Sequence, residues 1–476
     1  MTPGKRAAEE GAELGDATRA RRRFGSIRAP ATRGGQRKQR KPGQKPEKSG
    51  RKADRSRKRQ RAEADWKGKW LPALLKEAGP APCKLSLRVV LSPWVFRSEV
   101  EVGFRGPASN ELPWMDAPRS GFLSELESFW NGWASARKDI VFVVCGSSTS
   151  WMVKKIIKNK GGLHNRLSHR ISLKPFPLGL CEQLAQSRGL VLSRKQLLDA
   201  YMVFGGVPYY WSLLQKGASV TQEIDRLIFS PDGELNDEFE MLYASLFKKP
   251  EPYIRVIELL ARKKMGMTRM ELLAAGGFED NGSFSDILKD LEWCGFIRSY
   301  SMMGYKKKSD LFQLIDHYTL FYYEYIDGQR QGANYWKSML GTPKYNTWCG
   351  LAFERTCLWH IDQIKKQLGI SGILTNEYAW RCSGDENKNL RGVQIDLLID
   401  RSDGIIDICE MKYSKEAYVI SADYGRELQR KRDVLAEVTG TESAVHTIMV
   451  TTEGVAHNEE WGEIQAEVNL DNLFEL

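Results

Sequence analysis

Residues 392–414, Gly-Val-Gln-Ile-Asp-Leu-Leu-Ile-Asp-Arg-Ser-Asp-Gly-Ile-Ile-Asp-Ile-Cys-Glu-Met-Lys-Tyr-Ser, constrain this fold more than any other stretch. Two strongly apolar runs flank Ser402-Asp403-Gly404, and a three-residue loop with glycine in the left-handed position closes an antiparallel hairpin. Counting back from that loop sets Asp396 opposite Glu410, with Cβ atoms roughly 5 Å apart. Lys412 lies two residues on and shares the face of Glu410. Facing carboxylates repel unless a cation sits between them. Mg²⁺ takes one or two carboxylates and keeps waters and substrate phosphate as its other ligands. A neighbouring lysine orients or deprotonates metal-bound water. Asp396, Glu410 and Lys412 therefore suit phosphodiester cleavage, with Asp396 and Glu410 as metal ligands. The other reading is a solvent-facing strand that simply carries these residue types. Because the charges interrupt very apolar strands, the two readings stand level.

The helix ahead of the hairpin adds a fourth group. Trp-Cys-Gly-Leu-Ala-Phe-Glu-Arg-Thr-Cys-Leu-Trp-His-Ile sets Glu354 among Leu351, Phe353, Cys357, Leu358 and Ile361. A carboxylate beside an apolar face is either a ligand to metal or water, or a boundary residue paired with Arg355 or Arg381. Residues 424–435 form a basic helix with Gln429 and Arg430, which suits either a phosphate backbone or plain solvent.

Charge divides the chain unevenly. The net charge is +11, yet residues 1–66 hold 21 Lys and Arg against 8 Asp and Glu, and the rest holds 50 against 52. Residues 1–66 are almost free of large apolar side chains, so they cannot bury enough surface to offset chain entropy, and disorder is expected there. Such a tail is either a polyanion-binding arm or a solvated segment without a role, the latter favoured. No run approaches the ~18 apolar residues of a membrane span, so no membrane partner is expected. No apolar segment follows the first basic residues as a secretory signal requires. Eight scattered cysteines without a C-x-x-C pair argue against zinc and disulfide frameworks and point to the cytoplasm.

Elsewhere the pattern is coarser. Residues 67–109 hold one plausible strand, Leu85–Leu91. From Asn110 the texture changes. Phe122, Leu126 and Phe129-Trp130 recur at helical spacing, and Ile140–Cys145 reads as a parallel strand buried on both faces. Residues 175–245 read as helices broken at Gly205-Gly206-Val207-Pro208. In 250–316, a helix at Tyr253–Lys264 precedes a capping box, Thr268 to Glu271. Ser283 is expected to cap a third helix, and a two-stranded wing containing Lys306-Lys307-Lys308 follows. That third helix carries Asp286, Asp290 and Glu292 against Lys289, a poor guest for the major groove, so packing or protein contact is favoured over DNA binding.

Residues 348–450 resemble the PD-(D/E)xK nuclease-like superfamily: a helix with Glu354, a hairpin with Asp396 and Glu410-Met411-Lys412, then a helix with Gln429. Ahead of it, Asn-Glu-Leu-Pro-Trp-Met-Asp (110–116), the segment 130–157, Gly-Gly-Leu-His-Asn-Arg-Leu-Ser-His-Arg-Ile (161–171), Gly-Gly-Val-Pro-Tyr-Tyr-Trp-Ser-Leu-Leu (205–214) and Glu-Phe-Glu-Met-Leu-Tyr-Ala-Ser-Leu-Phe (238–247) resemble prokaryotic, archaeal-type AAA P-loop ATPases with a winged helix and a C-terminal nuclease-like domain. The resemblance implies a multidomain α/β chain. Its expected parts are a basic tail at 1–66, a non-family segment at 67–109, a partial AAA core and helical lid at 110–245, a winged helix at 250–330 and the nuclease-like domain at 345–476. It implies ATP and Mg²⁺ as cofactors, nucleic acid as a partner, and an oligomer as one option. Glu111 then matches the catalytic glutamate of the motor and Ser147 its phosphate-sensing residue.

One departure stands out. A phosphate-cradling G-x4-G-K-[ST] loop is missing from the sequence, and Asn110 stands where the motor's metal-binding aspartate belongs. Arg105-Gly106-Pro107-Ala108-Ser109 does not read as a strand. The change at one residue reads as a lost or frame-shifted P-loop part. Glu111 and Ser147 are then relics, and ATP hydrolysis is not expected. If the chain is a product with no stable motor domain, Ile140–Cys145 would be an exposed sheet edge without partner strands, with poor solubility as the result. The expected activity is Mg²⁺-dependent cleavage of nucleic acid at Glu354, Asp396, Glu410 and Lys412. The alternatives are a non-catalytic nucleic-acid or protein-binding module, or a truncated product without function.

Overall fold

The computed structural model describes residues 86–91, 108–109, 115–116, 119–137, 141–146, 151–158, 161–163, 166–301, 303, 310–328, 332, 334–382 and 391–476. The tail 1–66, Asn110, Glu111, Ser147 and Lys306-Lys307-Lys308 lie outside the described residues, as does 67–109 apart from two strands. Among the described residues no helix is long and apolar enough to cross a membrane.

The first sheet is parallel, built from β1 (Ser86–Leu91), β2 (Ala108–Ser109), β3 (Val141–Gly146) and β4 (His169–Ser172) in the order β2-β3-β1-β4. Helix α1 (Phe122–Gly132) covers one face: Phe122, Leu126, Phe129 and Trp130 bury against Phe142 and Val144. Two expectations are corrected here. Strand β3 is no edge, because β1 and β2 pair with it on either side, and Ala108-Ser109 does form a short strand. Alternate side chains on both sides of β3 need cover, and a parallel strand takes its neighbours from distant sequence. Local texture around 105–109 gives no sign of this.

Helices α2 (Leu178–Ser187) and α3 (Arg194–Phe204) begin the helical region. Ser193 and Gln196 form a reciprocal capping box on α3. The break at 205–208 is a close approach of two backbones. The Phe176 N–H donates to the Gly206 carbonyl at 2.7 Å, and a Cβ on Gly206 would lie 1.9 Å from the Phe176 oxygen. Only glycine fits there.

Next come α4 (Glu251–Arg262), β5 (Met267–Thr268), α5 (Arg269–Gly276), α6 (Gly282–Trp293), β6 (Ile297–Tyr300) and β7 (Leu311–Leu314), whose strands form an antiparallel sheet in the order β5-β7-β6. Thr268 and Glu271 form the capping box. The cap of α6 is Asn281, not Ser283. Asn281 has the extended backbone a cap requires and accepts from the Phe284 N–H at 3.1 Å, whereas Ser283 already lies inside the helix. Phe284, Ile287, Leu288 and Leu291 bury one face of α6. Its acidic side meets Lys154, 3.3 Å from Asp286 and 3.4 Å from Asp290, and Lys158 sits 5.0 Å over the Trp293 ring. This helix therefore packs against residues 151–158.

The last part holds α7 (Pro343–Trp359), β8 (Thr375–Cys382), β9 (Val393–Arg401), β10 (Ile405–Lys412), α8 (Ala422–Thr439), β11 (Ala444–Thr451) and β12 (Ala466–Val468). The sheet order is β12-β11-β10-β9-β8. The chain crosses from β10 through α8 to a parallel β11, in register from Ile405–Ala444 to Lys412–Thr451. Leu397, Ile399 and Cys409 join the main core with Phe353 and Cys357 of α7, a core that continues back to Leu178 of α2. Leu398, Ile406 and Ile408 bury instead against Val434 and Leu435 of α8. The α/β unit around β3 keeps a separate core.

Candidate active site

The hairpin turn forms as its sequence dictates. Gly404 adopts φ 84°, Arg401 ends β9 and Ile405 begins β10. The ladder runs in the expected register through Ile406–Asp400, Asp407–Ile399, Ile408–Leu398 and Cys409–Leu397. There it stops, one pair short of Asp396 and Glu410. The cause is a bulge. Across to β8, Tyr378 pairs with Leu398 but Trp380 pairs with Ile395, so β9 carries one extra residue at Asp396–Leu397. Val393 and Ile395 consequently fall on the same side as Leu398, in the cluster under α8. The direct facing of Asp396 and Glu410 is thus corrected: past the bulge the two strands part. The near end of β9 stays with β8, and Glu410–Lys412 stay with β11. Asp396 and Glu410 stand at the mouth of this fork. Bulges of this kind re-aim side chains and end pairing.

Each carboxylate at the fork has its own protein partner. Glu410 is 6% exposed; it accepts from the Tyr424 hydroxyl at 2.8 Å and from Lys431 Nζ at 2.5 Å. Lys412 Nζ lies 3.9 Å from Glu410 and 4.7 Å above the Tyr424 ring. Asp396 accepts from Gln394 Nε2 at 2.7 Å, while the buried Oε1 of Gln394 has no partner. Glu354, on α7, pairs with Arg355. Arg355 is buried and also donates to the carbonyls of Leu314 and Lys264. Arg381, the other candidate partner, bonds Glu271 instead. Burial pushes the Glu354 carboxyl up to about 7; Asp396 and Glu410 add to the rise and Arg355 opposes it. A carboxyl held near neutrality by burial and like charges is the pattern of tuned acid–base sites. The Tyr300 hydroxyl of β6 is buried without a partner and pushed up to about 12, mainly by burial, with Glu354 and Asp396 contributing. The β6 strand thus borders the fork.

Among the described residues no three His, Cys, Asp or Glu side chains converge as a ready metal cluster. Mg²⁺ asks for less. Two hard carboxylates suffice when water and phosphate complete the shell, and the orphaned Gln394 oxygen is a further hard donor at the same fork. The donor set fits Mg²⁺ in kind, with Lys431 as the internal cation that holds Glu410 otherwise.

Sequence reasoning missed Lys431, Tyr424 and Gln394. The signal for the first two was present: Tyr424, Leu428, Lys431 and Leu435 recur on one face of α8, and Leu428 and Leu435 are buried. Gln429 and Arg430 are occupied locally. Gln429 donates to Asp433, and Arg430 binds Glu427 and the carbonyls of Arg391 and Gly392.

No protein-family model matches the chain. An uncharacterized protein of Methanocaldococcus jannaschii is 23% identical over 230 residues, covering 47% of this chain and 50% of that one, so the chain spans about half the length of the curated relative it matches. Among solved structures, the chain is similar to the Walker-type ATPase of Pyrococcus abyssi (15% identity, 45% of this chain and 61% of that one, TM-score 0.33). It is also similar to the Aeropyrum pernix ORC2 protein in its ADPNP–ADP complexes (10% identity, 54% and 89%, TM-score 0.29). A STAND-class signal-transduction ATPase with a tetratricopeptide-repeat sensor, from Pyrococcus horikoshii, follows at 11% identity, 61% and 48%, and TM-score 0.19.

Proposed function

We propose that this chain is an archaeal-type AAA P-loop ATPase relative without its phosphate-binding loop, and that its remaining activity is Mg²⁺-dependent cleavage of nucleic-acid phosphodiesters. In this reading 110–245 is a partial motor and lid, 250–330 a winged helix and 345–476 a PD-(D/E)xK nuclease-like domain. The observation that carries it is the parting of β9 and β10 where Asp396, Glu410 and Lys412 stand. Asp396 and Glu410 would hold Mg²⁺. When bound, it would polarise the phosphate and acidify a water. Lys412 works on the attacking water. Glu354, ionised above its midpoint of about 7, adds negative charge behind the two ligands. Lys431, which holds Glu410 in the structure, would be the cation that a bound Mg²⁺ has to share that carboxylate with. Cleavage of end-labelled DNA with Mg²⁺ is the test. Asp396→Ala and Lys412→Ala should each abolish it, and wild-type rates in either variant sink the assignment. Glu111 and Ser147 act as relics here, so turnover of labelled ATP would overturn that part.

A second reading has its own support. The closure of Glu410 by Lys431 and Tyr424 suits a nuclease fold kept as a recognition module. The absence of any thermal shift with Mg²⁺ or Mn²⁺ would favour it.

A further inference from the structure

A separate cavity of about 300 Å³ lies where the helical region meets the C-terminal part. Asp199, on α3, lines it. Its Oδ1 is buried and has no hydrogen-bond partner. Burial pushes the Asp199 carboxyl up to about 6, with Lys195 pulling the other way. A buried acceptor without a donor costs free energy unless something outside the chain meets it. The walls are aromatic: Trp336 and Trp348 stand beside Tyr345 and Tyr413. Two lysines, Lys195 and Lys415, complete the lining. Lys415 is exposed, and Lys195 reaches Glu453 at 3.0 Å across a half-exposed ion pair, a contact worth little and readily exchanged.

We propose that this cavity binds a guanine nucleotide, with Asp199 accepting from the base and Lys195 and Lys415 holding the phosphate. Three features select that class. The carboxylate that carries this orphaned oxygen can accept from two adjacent N–H donors, which guanine presents on its Watson–Crick edge, whereas adenine and cytosine present an acceptor beside a single amino group. Aromatic side chains in the lining suit a base. Lysines at the lining suit an anion bonded to the same molecule. The volume is at the small end of ligand sites, a size for a mononucleotide. Tyr413 and Lys415 lie just past Lys412 on the same chain segment, so the site adjoins the acidic fork without sharing a residue with it. Nucleotide binding here does not depend on cleavage at the fork.

The test is titration of the full chain with GMP, AMP and CMP, read by intrinsic tryptophan fluorescence, since Trp336 and Trp348 form the wall. Saturable quenching by GMP, at least tenfold tighter than by AMP or CMP, is expected. Asp199→Asn should lose GMP and gain XMP, because an amide offers one donor and one acceptor to a base whose 2-position is a carbonyl. Lys415→Ala should weaken GMP about tenfold and leave guanosine unchanged, which also covers an Asp199 variant that fails to fold. No saturable response to GMP, equal response to all three nucleotides, or unaltered GMP binding by folded Asp199→Asn would overturn the proposal.

Discussion

Two regions of this molecule bury titratable side chains, and they use burial differently. At the fork, burial raises the Glu354 carboxyl to about 7 and neighbouring carboxylates add to the rise. Between α3 and α7, burial lowers His317 to about 3 and His360 to about 4. The histidines are closed on all sides. His360 Nδ1 donates to the Thr356 carbonyl and Nε2 accepts from the Leu178 N–H at 2.8 Å. His317 Nε2 lies 3.0 Å from the Thr356 hydroxyl, and both rings meet Tyr201 edge-on. These are neutral struts that lock α2 and α3 to α7. At the fork the strands part and acceptors such as Gln394 Oε1 stay unmet. A shifted pKa marks a site only where the geometry is open.

The largest expected contrast is between variants. Asp396→Ala and Lys412→Ala should lower cleavage about 100-fold or more while Tm stays level, since both groups are only partly buried. His360→Ala should do the reverse. It strands the buried Leu178 N–H and opens a cavity, costing about 2–4 kcal/mol in chemical denaturation, with the rate per folded molecule unchanged at low temperature. A cleavage-dead but fully stable His360→Ala protein would break the comparison.

Acid should separate the two regions next. The folded state refuses protons that unfolded His317 and His360 accept below about 6.5, so stability is present above that pH and is lost as pH falls toward 4. The loss should be on the order of 3 kcal/mol per histidine, read from urea midpoints across pH. A flat profile would contradict the depressed values. Glu354 gives the smallest effect. Cleavage should climb several-fold through pH 7 as Glu354 ionises, and Glu354→Gln should flatten that climb; an unchanged profile would remove Glu354 from the site.

How much of this was legible depends on range. The turn Ser402-Asp403-Gly404 is local chemistry, so the hairpin and its first four pairs could be read directly. The bulge could not: Leu397-Leu398-Ile399 is one apolar run whichever face each residue takes, and the extra residue shows only against β8. Lys431 lies one position from Arg430 in an equally basic stretch, and only the face shared with Leu428 and Leu435 tells them apart. The partners of β3 come from residues 86–91 and 108–109, where pairing is parallel and distant, so no local pattern announces it.

The most direct measurement is calorimetric titration of Mg²⁺ and Mn²⁺ into the full chain, alongside Asp396→Asn and Glu410→Gln. The fork as described predicts one saturable site in the wild type, absent from both variants, and cleavage of labelled DNA that follows its occupancy. Equal metal binding by all three proteins, or cleavage undiminished in EDTA, would contradict it.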